Sequence, residues 1–154
     1  MHAASGAVVA VRRGLIFLVL LLAADAPAQA LAPGDTCPFF ELPWLGGEGR
    51  ASSTGILPQA PVTVLLFWNR ECPHCADLAL DVDYLAAESA VHDAQLVPVL
   101  FGPDDPVSLR ALLVQEGVRA RHLWDAPGSV AADYGLGREH LGVFVAHADG
   151  RITA

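Results

Sequence analysis

Residues 61–68 (PVTVLLFW) form a continuous apolar, β-rich run. A strand with one wet face would alternate apolar and polar residues, so this run predicts a strand covered on both faces. From Cys72 to Ala90 the spacing changes to that of a helix. Leu78, Val82, Leu85 and Ala86 share one stripe, and Asp77, Asp81, Tyr84 and Glu88 lie elsewhere. Residues 95–101 (QLVPVLF) read as a second strand, with Pro98 arguing for an irregular or edge position. Asp105-Pro106 opens a second helix, with Val107, Leu109, Leu112 and Leu113 inward and Gly117 at its end. His122-Leu123-Trp124 reads as a short strand, and Gly128 to Tyr134 as a short helix ended by Gly135. Gly142 to Ala146 is a third apolar strand, followed by a turn at Ala148-Asp149-Gly150. The Pro-, Gly- and Ser-rich stretch from Leu31 to Pro61 predicts a loose hairpin turning at Gly46-Gly47-Glu48-Gly49. Strands alternating with helices define an α/β domain with a sheet core.

The first 30 residues stand apart. Arg12 and Arg13 precede an eleven-residue apolar run, Gly14 to Ala24, and Ala28-Gln29-Ala30 follows. The run is short of the roughly 20 residues that span a bilayer. A basic region, a short apolar region and A-x-A together read as a secretory signal peptide cleaved after Ala30. An uncleaved anchor and a buried N-terminal helix are the competing readings. Residues 31–154 are then a single domain in an oxidising, extracytoplasmic compartment, the periplasm, with membrane contact only through an uncleaved anchor. The net charge is −8, every basic residue is Arg, and residues 31–154 carry seven Arg against sixteen acids. That balance argues against nucleic acid and anionic membrane surfaces as partners.

Cys72-Pro73-His74-Cys75 is the chemistry-bearing motif. It follows a buried strand and opens a helix, the context in which C-x-x-C reads as a redox pair. Residues three apart on a first helical turn share a face, so the two sulfurs can meet. Free N–H groups at the helix start favour a thiolate on Cys72, and Pro73 suits a first turn because it needs no N–H partner there. Cys72 is expected to attack and the deeper Cys75 to resolve. A partly cationic His74 would favour the thiolate further, unless it is simply a solvated loop residue. Four zinc ligands cannot be assembled at the usual spacing, and haem attachment fails because Ala76 follows Cys75. An inert structural disulfide would stabilise little across so short a loop.

These residues resemble the thioredoxin-like thiol–disulfide oxidoreductases of the bacterial envelope, the TlpA/ResA/CcmG type of the redoxin superfamily. Pro33-Gly34-Asp35 with Pro38, Phe39 and Leu42 is similar to the family's entry segment. Phe67-Trp68 before CPHC, Asp125 to Tyr134-Gly135, and Asp149-Gly150-Arg151-Ile152 are similar to its later motifs. The resemblance implies a thioredoxin-like fold, a central mixed sheet flanked by helices. It implies exchange with protein thiols and disulfides, no cofactor beyond the dithiol, no metal, and a membrane redox partner that recycles the pair. Three departures stand out. Leu78 and Leu80 occupy positions where the family has Glu and Pro. Leu141 occupies the cis-Pro position, so the bond before it is expected trans and the loop 137–141 rearranged. The chain stops at Ala154, before the family's last strand and helix, so the sheet is expected to lack an edge element or the sequence to be a fragment. Cys37 reads as a small packing residue or a third exchangeable thiol, and His140 as a solvated loop residue. A redoxin-type peroxidase is one alternative function, although Asn69 stands where peroxiredoxins place Thr. A Cu(I)-binding protein using Cys72, Cys75 and His140 is another.

Overall fold

The computed structural model describes residues 31–73 and 75–154. The signal-peptide reading of residues 1–30 and the tuning role of His74 therefore lie outside the described residues. No helix among the described residues is long and apolar enough to cross a membrane.

The entry segment folds into a small antiparallel hairpin, β1 (Glu41–Pro43) on β2 (Arg50–Ser52). A short helix α1 (Ser53–Ile56) and a 3-10 turn (Leu57–Gln59) lead into β3 (Val62–Trp68). Then come α2 (Cys75–Val91), β4 (Ala94–Phe101), α3 (Pro106–Gln115), β5 (Leu123–Asp125), α4 (Ser129–Asp133) and β6 (Gly142–His147). The main sheet has the order β5-β4-β3-β6. β3 runs parallel to β4 and antiparallel to β6, and β4 runs parallel to β5. After the turn at 148–150, Ile152 pairs back onto Ala146. This is the expected mixed sheet flanked by helices.

Alternation along β3 explains its unbroken apolar sequence. Leu65 and Phe67 enter one core with Phe40, Leu42, Val99, Leu123 and Tyr134. Leu66 and Trp68 enter a second core on the opposite face, with Val82, Leu100, Leu113 and the two cysteines. Both faces of the strand are dry, so neither tolerates a polar register.

Three expectations shift. The helix that was to open at Cys72 begins at Cys75. The residue before a proline is disfavoured in the α region, so Cys72 is held out of the helix and Pro73 belongs to the turn ahead of it. Pro98 lies in an interior strand rather than at the sheet edge. It is tolerated because β5 pairs only with Val99–Phe101, leaving β4 unpartnered beside Pro98 on that side. Helical spacing places Val107 on the buried side of α3, yet it is 73% exposed, and Leu109 and Leu113 carry that packing. Val107 falls in the first turn, just after the Asp105 cap, whereas the buried residues of α3, Leu109 and Leu113, lie further along.

Candidate active site

β3 delivers the chain to the sheet's end at Trp68, and α2 begins at Cys75. Cys72 and Cys75 are joined as a disulfide, with their Cα atoms 5.3 Å apart. The Cys75 N–H donates to the Cys72 carbonyl at 3.1 Å, which closes the turn between them. Cys72 is 6% exposed and Cys75 is fully buried. The order of depth is the one expected, though both sulfurs lie within the second core.

Asn69 holds this turn. Its Oδ1 accepts from the N–H of Glu71 at 2.8 Å and of Cys72 at 3.0 Å. Its Nδ2 donates to the Arg138 carbonyl at 2.6 Å. One buried carboxamide thus ties the cysteine turn to the loop 137–141. Sequence reasoning used Asn69 only as a mismatch to a peroxidase Thr. The signal was available, since an Asn just past a strand commonly bonds backbone two residues on. The loop's partner is not. Arg138 lies far along the chain, and its side of the contact is a carbonyl that any residue would supply.

The surroundings of the disulfide are apolar. Leu78, in the position where the resembled family has Glu, packs half-buried against the second core and supplies no carboxylate. The buried Asp125 carboxylate belongs elsewhere. It accepts from the Ala131 N–H at 2.9 Å and secures the start of α4, and burial pushes its pKa up. Trp68 is a core residue, with its ring edge-on to His122 at 5.5 Å. His122 is buried, its Nδ1 shares a hydrogen bond of 2.9 Å with the Ala120 carbonyl, and burial pulls its pKa down to about 4. Trp68 Nε1, His122 Nε2 and Trp124 Nε1 are buried without a partner among the described residues.

The remaining candidates take different places. Pro73 is exposed in the turn itself. Cys37 is half-buried against the first core, where burial pushes its thiol pKa up. It packs with the core that lies across the sheet from the disulfide. His140 is exposed, and no group of three or more His, Cys, Asp and Glu able to hold a metal occurs among the described residues. Leu141 is 40% exposed, and every described peptide bond is trans.

A βαβ core with a cysteine pair at the strand-to-helix junction defines a thioredoxin-like dithiol–disulfide protein. The chain matches the AhpC/TSA family over residues 33–154 and belongs to it. The family is one of oxidoreductases, and this chain is an oxidoreductase that carries the Cys72–Cys75 disulfide. Among solved structures it is similar to a Chlorobium tepidum protein assigned as a thiol:disulfide interchange protein DsbE, with 21% identity over 81% of this chain and 84% of that one, at a TM-score of 0.67. It is similar to the peroxidoxin BcpB of Mycobacterium tuberculosis, with 26% identity over 79% and 82% at a TM-score of 0.64. It is also similar to a secreted Mycobacterium tuberculosis disulfide oxidoreductase homologous to E. coli DsbE, with 22% identity over 74% and 80% at a TM-score of 0.60. No curated protein matches the chain.

Proposed function

We propose that this protein exchanges disulfides with other proteins outside the cytoplasm, with Cys72 as the attacking and Cys75 as the resolving sulfur. The observation that carries the reading is the difference in depth within one turn: Cys72 keeps a trace of exposure and Cys75 has none. In the reducing direction the Cys72 thiolate attacks one sulfur of a target disulfide. A mixed disulfide forms and one target thiolate leaves. The Cys75 thiolate then attacks Cys72 Sγ, the second target thiolate leaves, and the Cys72–Cys75 disulfide remains. Two electrons pass to the target, and the leaving thiolates take protons from solvent. The oxidising direction is the reverse. Export to the periplasm rests on the signal-like residues 1–30 and on similarity to proteins described as secreted. A membrane redox partner is the recycling route the resemblance implies.

The test is a pair of variants. Cys72→Ser should abolish reduction of a protein disulfide, and Cys75→Ser should accumulate mixed disulfides, visible as thiol-sensitive bands on non-reducing gels. If Cys72→Ser is instead the trapping variant, the roles are reversed.

A second reading has support in the family match and in the likeness to a peroxidoxin. In a peroxidase the same Cys72 thiolate would attack a peroxide oxygen, and the O–O bond would break with water or an alcohol leaving after protonation from solvent. Cys75 would then condense with the resulting sulfenic acid to give the disulfide and a water. Hydrogen-peroxide consumption by the reduced protein, abolished by Cys72→Ser, would select this reading. No consumption above a Cys72→Ser background would reject it.

A further inference from the structure

Three of the seven arginines in residues 31–154 converge on one concavity away from the cysteine turn. Its volume is about 280 Å³, and Arg110, Arg119, Arg121, Leu45, Leu113 and His122 contribute to its walls. In a chain this acidic, clustered arginines run against the overall charge. None of the three guanidinium groups pairs with a carboxylate among the described residues. Asp83, the acid that reaches this region, is turned to backbone. It accepts from the Arg119 N–H at 2.8 Å and the Ala120 N–H at 2.7 Å.

Two of the arginines are held in place by neutral groups. Arg110 Nη1 donates to the Gly46 carbonyl at 3.0 Å. Gly46 has φ +63°, and any side chain there would strike the Arg110 side chain, so the close approach needs glycine. The Arg121 guanidinium stacks on the Trp44 ring at 4.1 Å. Both contacts fix the side chains and leave their charge unneutralised. His122, 2% exposed, adds a buried ring whose Nε2 has no partner. Guanidinium forks match planar carboxylates and tetrahedral phosphates, and fixing them beforehand lowers the entropy cost of binding.

We propose that this groove is an oxyanion-binding site, taking a compact carboxylate- or phosphate-bearing anion. The anion bridges the Arg110 and Arg121 guanidinium groups and Arg119 adds charge. The volume suits a small anion or one or two acidic side chains, and it is below the usual range for drug-sized ligands of about 300–1,000 Å³. The site is independent of the cysteine chemistry and stands whichever redox reading holds.

The test is calorimetric titration of the full chain at low ionic strength with three probes in turn: inorganic phosphate, citrate and a blocked tetraglutamate peptide. Saturable binding of a free anion is expected, weakening as salt rises. The double variant Arg110→Gln/Arg121→Gln should bind about tenfold or more weakly, since each charge-assisted fork is strong. Arg138→Gln/Arg151→Gln, which removes the same two charges elsewhere, should bind as the parent does. Binding of the peptide alone, lost in the double variant, would still support the site and identify its source as a polypeptide. Should circular dichroism show the double variant unfolded, Arg119→Gln replaces it, because among the described residues that guanidinium makes no hydrogen bond to the fold. Absence of saturable binding with all three probes overturns the proposal, as does unchanged affinity in the folded arginine variants.

Discussion

Asn69 does at one residue what the cysteine turn cannot do for itself. Glu71 and Cys72 present backbone N–H groups that precede α2 and have no helical partner. A buried donor left unsatisfied costs about 1–3 kcal/mol. Asn69→Ala removes the acceptor for both and the donor to Arg138. It should therefore lower stability by about 1–3 kcal/mol in urea unfolding. It should also slow protein-disulfide reduction severalfold while leaving the Cys72–Cys75 disulfide able to form. An unchanged rate with unchanged stability would show the turn to be self-supporting. Asn69→Asp separates the roles, since it keeps an acceptor for Glu71 and Cys72 and loses the donor to Arg138.

Asp83 is a polar tie that crosses between elements. It projects from α2 to the backbone of the 119–120 turn that leads into β5, with three N–H···O contacts of 2.7 to 3.1 Å. The tie sets the position of β5 relative to the helix that carries the cysteines. Asp83→Ala should cost about 1–3 kcal/mol and raise hydrogen exchange at Arg119 and Ala120 above that of the β3 amides. Exchange unchanged at those two amides would place the restraint in packing instead. The ends of α3 show the same local logic. The Asp105 side chain accepts the Ser108 N–H at 2.9 Å at one end. At the other, Gly117 takes φ +74° while the Val118 N–H returns to the Leu113 carbonyl.

At the scale of the whole molecule, buried His122 couples stability to pH. Desolvation lowers its pKa from the ordinary 6.5 to about 4. Between those values the unfolded chain binds a proton that the folded protein refuses. The contribution of neutral His122 is thus complete above pH 6.5 and lost as pH falls toward 4, on the order of 3 kcal/mol in all. Urea unfolding from pH 7 to 4.5 should show stability falling across that window. His122→Asn, whose carboxamide can keep the bond to the Ala120 carbonyl, should flatten the slope. Equal slopes in the two proteins would mean that other groups carry the acid sensitivity.

Much of this architecture was legible along the chain. A strand dry on both faces cannot hide its composition, so residues 61–68 announced β3, and the change to helical spacing after Cys72 announced α2. Gly117 and Gly135 both adopt positive φ where the sequence ended helices. Cysteines three apart at a strand-to-helix junction can meet through local geometry alone, and they do. What the linear order could not show depends on neighbours distant in sequence. Pro98 is admitted inside the sheet only because β5 is three residues long. Val107 is exposed while Leu109 and Leu113 are buried, and which residues of an apolar stripe find a partner is a matter of docking that helical spacing does not contain. The Asn69–Arg138 tie and the convergence of Arg110, Arg119 and Arg121 near Gly46 join segments tens of residues apart. Local pattern determines which face of an element is apolar. Which elements meet, and which polar groups are left facing one another, is decided only when the sheet assembles.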